Sequence, residues 1–208
     1  MTPDQLARVL LPIEGWRADE VAGASDFDLN PGMEPPPGAP AEAAVLVAFT
    51  PGDRGPSLTL TRRADTLARH TGQIAFPGGR LDPGEGPAEA AVREAWEEIG
   101  LPPAAVRPLG LGDRYHTGTG YLVTPVVAWV APLPELSPSP AEVAEVFHVP
   151  WAHLADPANR RRDHYDLNGV RRHFWSIDWH DRLVWGATAG MIVGLASRLG
   201  RAAAERAA

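Results

Sequence analysis

The apolar positions of this chain change period several times, and each change marks a predicted element. Ala43 to Phe49 is a continuous apolar run and Ser57 to Arg62 alternates, so both predict strands; Val106 to Tyr115 and Tyr121 to Val130 extend the same sheet. Pro125 inside the last of these predicts an edge position or a bulge. Between the strands the period becomes helical. Pro87 suits a first helical position, Glu89 favours the positive amino end, and Gly100 suits a left-handed residue past the last turn, which predicts a helix over 87–99. Ala88, Ala91, Val92, Ala95 and Ile99 form its apolar stripe. Arg171 to Asp178 reads as a late strand with bulk on both faces. Leu183 to Leu199 reads as a helix with Trp185, Thr188, Ala189, Ile192, Leu195, Ala196 and Leu199 on one side.

Ahead of these elements, residues 1–40 read as a peripheral extension. A short helix is expected around Asp4 to Leu11, then an extended proline-rich connector over Asn30 to Pro40. One domain is expected over 41–200, followed by a helix-prone tail over 201–208 that frays. The 208 residues, 44% of them hydrophobic, suffice for one substantial core. The absence of cysteine removes disulfides and thiol catalysis from consideration. A net charge of -7 with only short basic clusters argues against bulk nucleic-acid binding. No apolar stretch is long enough to span a bilayer, and the amino terminus lacks the basic-then-apolar order of a secretion signal, so a cytoplasmic protein is expected.

Candidate chemistry concentrates on the polar face of the 87–99 helix. At about 100° per residue, Glu94, Glu97 and Glu98 fall within an arc of roughly 100°. Such an acidic face is ordinarily just solvated, and Arg93 can pair with Glu89 and Glu97 across one turn. Three carboxylates so close repel one another, however, and a hard cation such as Mg²⁺ or Mn²⁺ would turn that repulsion into binding. Upstream, Pro77-Gly78-Gly79 supplies a stiff approach and a backbone able to come close to phosphates.

The fixed spacing of Gly79, five residues, Glu85, seven residues, then Arg93-Glu94-Ala95-Trp96-Glu97-Glu98-Ile99-Gly100-Leu101 resembles the Nudix box. It departs from the usual pattern only at Ala95, where a larger aliphatic residue is usual. Leu60, Thr61, Arg63, Gly72, Phe76, Pro77, Gly78 and Gly79 also match the motif that marks the coenzyme A pyrophosphatase branch of that family. Thr59, Ala64 and Ala68 depart from it, and Arg69 stands one residue late for the missing second arginine. The opening Trp185-Gly186-Ala187-Thr188-Ala189 resembles the carboxy-terminal helix of the same branch.

The resemblance implies an α/β (α+β) Nudix fold, a mixed β-sheet sandwiched between α-helices. It implies a pyrophosphohydrolase that uses Mg²⁺ or Mn²⁺ on a small coenzyme A-like nucleotide, and it allows a homodimer. Glu94, Glu97 and Glu98 would be the metal ligands, Arg93 would orient a glutamate, and Glu85 would support the loop; Arg63, Gly78 and Gly79 would meet substrate. Glu94 and Glu142 both remain candidates for the general base. Water would attack one phosphorus of the pyrophosphate link with a carboxylate taking its proton. ADP-ribose, NADH, a dinucleoside polyphosphate or an altered nucleoside triphosphate is the alternative substrate, and a nucleotide sensor that does not cleave is the alternative class. His116 and Arg160 to Arg162 read as polar surface rather than substrate contacts.

Overall fold

Strand β2 (Ala41–Thr50) runs through the middle of the protein, and its two faces organise everything else. The computed structural model describes residues 1–17, 23–64 and 72–207. Before β2 come α1 (Pro3–Ala7), β1 (Ala24–Ser25) and α2 (Asp26–Leu29). After it come β3 (Ser57–Arg63), β4 (Ile74–Ala75), β5 (Gly78–Arg80), α3 (Pro87–Ile99), β6 (Val106–Leu111), β7 (Tyr115–His116) and β8 (Tyr121–Val130). The chain closes with β9 (Val143–Pro150), α4 (Trp151–Ala155), β10 (Arg160–Leu167), β11 (Val170–Trp179), β12 (Arg182–Trp185) and α5 (Gly186–Ala207).

Among the described residues the main sheet is ordered β1-β7-β8-β2-β3-β4, with β5 beside β2, β6 beside β8 and β9 beside β3. The β2–β8 pairing is parallel and the β2–β5 and β3–β9 pairings are antiparallel, so the sheet is mixed. Because side chains alternate across a strand, Ala44, Leu46 and Ala48 of β2 join Val126, Ala128 and Val130 of β8 on one face. There they pack against Ala90, Ala91, Ala95 and Ile99 of α3. On the other face, Val47, Phe49, Val123 and Val127 meet Ala189, Ile192 and Leu195 of α5. The sheet therefore lies between two helices, an α+β architecture as expected.

Several elements differ from the pattern-based expectations. Leu183 to Trp185 form strand β12, paired with β11, and the helix begins only at Gly186, whose φ of 64° lets the chain turn out of the sheet. That helix runs through Ala207. The stretch from Val106 to Tyr115 is two strands, not one, with Gly112, Asp113 and Arg114 between them. Pro125 is neither at an edge nor in a bulge of its own strand. Its carbonyl accepts from Gly112 N–H at 2.8 Å, which places the missing donor in the gap where β8's neighbour changes from β7 to β6.

Residues before β2 are also less peripheral than expected. The first helix stops at Ala7 rather than reaching Leu11, yet Leu6 is fully buried in the α5-side core, and Leu11 bridges to Leu111. Asp26 ties this segment to the sheet by accepting from Tyr115 Oη and from Gly118 N–H, both at 2.7 Å. Among the described residues, no helix is long and apolar enough to cross a membrane.

Candidate active site

Helix α3 is held close to the sheet because its buried face is built from alanines. Glu89 accepts from Gly86 N–H at 2.9 Å across the first turn, and Gly100 ends the helix in the left-handed conformation at φ 66°. Strand β5 then passes over the carboxylate face, and its two glycines are required for different reasons. A Cβ on Gly78 would lie 2.3 Å from the Ala44 carbonyl oxygen, against strand β2. A Cβ on Gly79 would lie 2.4 Å from Oε1 of Glu94. The pair thus lets the loop touch the sheet and the helix's glutamates at once.

Arg93 gathers one half of this face. Its Nε and Nη2 donate to the two oxygens of Glu85 at 2.9 and 3.0 Å, and Nη1 donates to Glu94 at 2.9 Å and to Glu97 at 3.2 Å. Nη2 also reaches the Arg80 carbonyl at 3.0 Å, pinning β5 to the helix. Glu85 in turn accepts from Asp82 N–H at 2.9 Å. The hydrogen bond from Arg93 holds the Glu85 carboxyl below its ordinary range, and its return effect pushes Arg93 further up.

The other half is built around Glu98. Glu98 is only 5% exposed; its Oε2 accepts from Gly78 N–H at 3.3 Å and its Oε1 lies 3.9 Å from Nη1 of Arg63. Burial raises its pKa to about 7, opposed by the Gly78 hydrogen bond and Arg63, and reinforced by the charges of Glu94 and Glu142. Glu94 is raised too, first by burial and then by Glu97 and Glu142, against the pull of Arg93. Among the described residues no three acidic or histidine side chains stand close enough to enclose a metal ion by themselves. The donors nevertheless suit one: Glu94 and Glu98 are hard oxygen ligands whose mutual repulsion a cation would cancel, and Mg²⁺ needs only one or two protein carboxylates.

The structure brings Glu85, Arg93, Glu94, Glu97, Glu98, Arg63, Gly78 and Gly79 together, with Glu97 turned outward to Arg93. Glu142 is exposed, just before β9, and its charge is felt by both Glu94 and Glu98. His116 packs edge-on against Phe27 at 4.9 Å between ring centres. Arg160 and Arg162 donate to the carbonyls of Ala155 and Leu29, and Arg161 pairs with Asp178, so all three serve the fold around β10. Ala68 and Arg69 lie outside the described residues. Residue-level patterns missed Arg80, which donates to the Tyr121 hydroxyl at 2.8 Å and lies 5.2 Å from that ring. Nothing local signals a contact across so many residues.

A NUDIX domain model matches residues 40–168, more than half of the chain. The chain belongs to the Nudix family. It is 41% identical over 164 residues to a protein of Cronobacter sakazakii named uncharacterized Nudix hydrolase NudL, covering 76% of this chain and 83% of that one. The NudL protein of Escherichia coli K12 is 40% identical over the same length and coverage. A Nudix hydrolase from M. smegmatis, RenU, is 28% identical, with 57% of this chain and 75% of that one covered at a TM-score of 0.48. As a Nudix hydrolase, the protein cleaves pyrophosphate bonds in small nucleotide derivatives, chemistry for which the family generally uses divalent metals such as Mg²⁺ or Mn²⁺.

Proposed function

We propose that this Nudix hydrolase acts on coenzyme A or an acyl derivative, releasing a phosphopantetheine and adenosine 3′,5′-bisphosphate. The reading of the site rests on one observation: Glu98 is buried beside Glu94, and burial with the nearby Glu94 charge pushes its carboxyl up to about 7. Glu94 and Glu98 would hold Mg²⁺ or Mn²⁺, with Glu97 as a further ligand once released from Arg93. The bound ion would polarise phosphoryl oxygens and acidify water. Arg93 fixes Glu94 and ties the Glu85 loop to the helix, while Gly78 and Gly79 let β5 lie close against Glu94 and the sheet. The attacking water's proton would go to a carboxylate oxygen of Glu94 or Glu142. Arg63, 3.9 Å from Glu98, is the described cation best placed to meet a phosphate.

The coenzyme A assignment is supported by the residues of the upstream motif, from Leu60 to Gly79. Ala68, where that motif has a second arginine, favours a second reading in which ADP-ribose, NADH or a dinucleoside polyphosphate is cleaved at the same site. Incubation with each nucleotide and Mg²⁺ or Mn²⁺, with product identification by mass, decides between them. Preferential release of adenosine bisphosphate from coenzyme A is expected, and a clear preference for another nucleotide overturns the assignment.

A further inference from the structure

Most acids around the carboxylate face of α3 already hold a donor. Glu85, Glu94 and Glu97 accept from Arg93, and Glu98 accepts from Gly78 N–H. Glu145 pairs with Arg182, and Arg62 lies 3.6 Å from it. Glu142 is the exception. It is exposed, its charge bears on both Glu94 and Glu98, and among the described residues no donor meets its carboxylate. A group that is to take a proton needs an uncommitted lone pair within reach of the reacting water.

What fixes Glu142 is main chain. The last carbonyls of a helix lack partners within it, and two of those of α3 are claimed by the segment Ser137-Pro138-Ser139-Pro140. Ser137 N–H donates to the Ile99 carbonyl at 2.9 Å and Ser139 N–H to the Glu98 carbonyl at 2.8 Å. Pro138 and Pro140 have no N–H and hold their φ angles, so the two serines supply every backbone donor of this stretch. Ser139 passes the connection on, its own carbonyl accepting from Glu142 N–H at 3.0 Å and Val143 N–H at 2.9 Å. Glu98 and Glu142 are thus joined through one residue. Ala64 N–H donates to the Glu142 carbonyl at 2.9 Å, so the end of β3 grips the same residue from the other side. Gly100 makes room for the segment: a Cβ there would lie 3.0 Å from the Ser137 carbonyl oxygen and 3.1 Å from its nitrogen. A bulge in β9 separates Glu142 from its neighbour acid, since Arg62 stands opposite Glu145 but Arg63 opposite Val143. The extra residue, Ala144, lets Val143 pack in the α3-side cluster while Glu145 faces Arg62 and Arg182.

We propose that Glu142, rather than Glu94, takes the proton from the attacking water, and that Ser139 is the positioning residue that fixes it relative to Glu98; this rests on the reading of Glu94 and Glu98 as ligands of the ion. The water oxygen bonds to phosphorus and its proton passes to a Glu142 carboxylate oxygen. The bond from that phosphorus to the bridging oxygen breaks, its electron pair leaving on the departing phosphate. Glu142→Gln keeps the volume and removes the acceptor. With Mn²⁺ and whichever of coenzyme A, ADP-ribose, NADH and diadenosine tetraphosphate the parent cleaves fastest, kcat is expected to fall about 100-fold or more with KM little changed. Mn²⁺ titration without nucleotide, followed by electron paramagnetic resonance, should give a dissociation constant within about threefold of the parent's. Ser139→Pro deletes the N–H that reaches Glu98 and should lower kcat about tenfold in a protein that circular dichroism shows to be folded. Because Ser139 acts through Glu142, adding this change to Glu142→Gln should cost nothing more, whereas unrelated damage would multiply. A parent-like kcat in Glu142→Gln, or Mn²⁺ affinity lost together with kcat, overturns the proton role, and multiplying losses in the double variant overturn the positioning role. If Glu98→Gln binds Mn²⁺ as tightly as the parent, it is the ion reading that fails, and the Glu142→Gln comparison still decides the proton acceptor.

Discussion

The two ends of the carboxylate face on α3 carry the same residue type and behave oppositely. At one end Arg93 pairs both oxygens of Glu85 and reaches Glu94, Glu97 and a backbone carbonyl, so part of the negative charge is offset and the geometry is fixed. At the other, Glu98 is sunk beneath β5, 3.9 Å from the Arg63 guanidinium and within reach of the Glu94 and Glu142 charges. Removing water from a charge is costly unless a partner compensates. The first end is therefore a scaffold. The second keeps a buried carboxylate whose ionised form is costly.

The sharpest way to break this contrast is Glu98→Gln, which keeps volume and removes charge. It is expected to lower metal-dependent kcat by about 100- to 1000-fold with the fold intact; turnover within a few-fold of the parent would remove Glu98 from the site. Next comes the pH dependence of the metal-free protein. The Glu98 pKa is raised from 4.5 to about 7, so the native state favours the protonated acid. Its contribution to stability is full below 4.5 and is lost as pH rises through 7, a decline of about 3 kcal/mol. Urea unfolding between pH 4.5 and 8 should show that slope, and Glu98→Gln should flatten it. Arg93→Lys keeps the charge but cannot serve Glu85, Glu94 and the Arg80 carbonyl together. A roughly tenfold loss of kcat/KM with a lower Tm is expected, and an unaffected enzyme would show that the scaffold end is dispensable. Trp96 lies on α3 but is 52% exposed, so Trp96→Ala should change stability by no more than about 0.5 kcal/mol in the same unfolding assay.

The parts of the molecule legible from sequence are those whose instructions are local. Pro87, Gly100 and the alanine stripe define α3 at the expected residues, and Gly78–Gly79 mark the close approach. What escaped was decided by distant partners. Val143 to Pro150 follows a proline-rich stretch and shows no clean alternation, yet it pairs along nearly the whole of β3. Leu183, Val184 and Trp185 continue the helical period of α5 but are claimed by β11. Arg160 to Arg162 read as polar surface, and the hairpin with β11 makes them the start of a strand. Within the site, the direction of Glu97 was not readable either, because it depends on which neighbours Arg93 already serves.

The way the chain's two ends close over the sheet has a practical corollary for anyone shortening it. Leu6 from the first helix and Ile192 and Leu195 from the last share one apolar cluster with Val47 and Phe49. A fragment cut at the limits of the recognised domain, 40–168, would keep every glutamate of the box but uncover the part of that face covered by α1 and α5. Such a fragment should come out of cells as aggregate, so attempts to isolate a minimal catalytic unit must retain both termini.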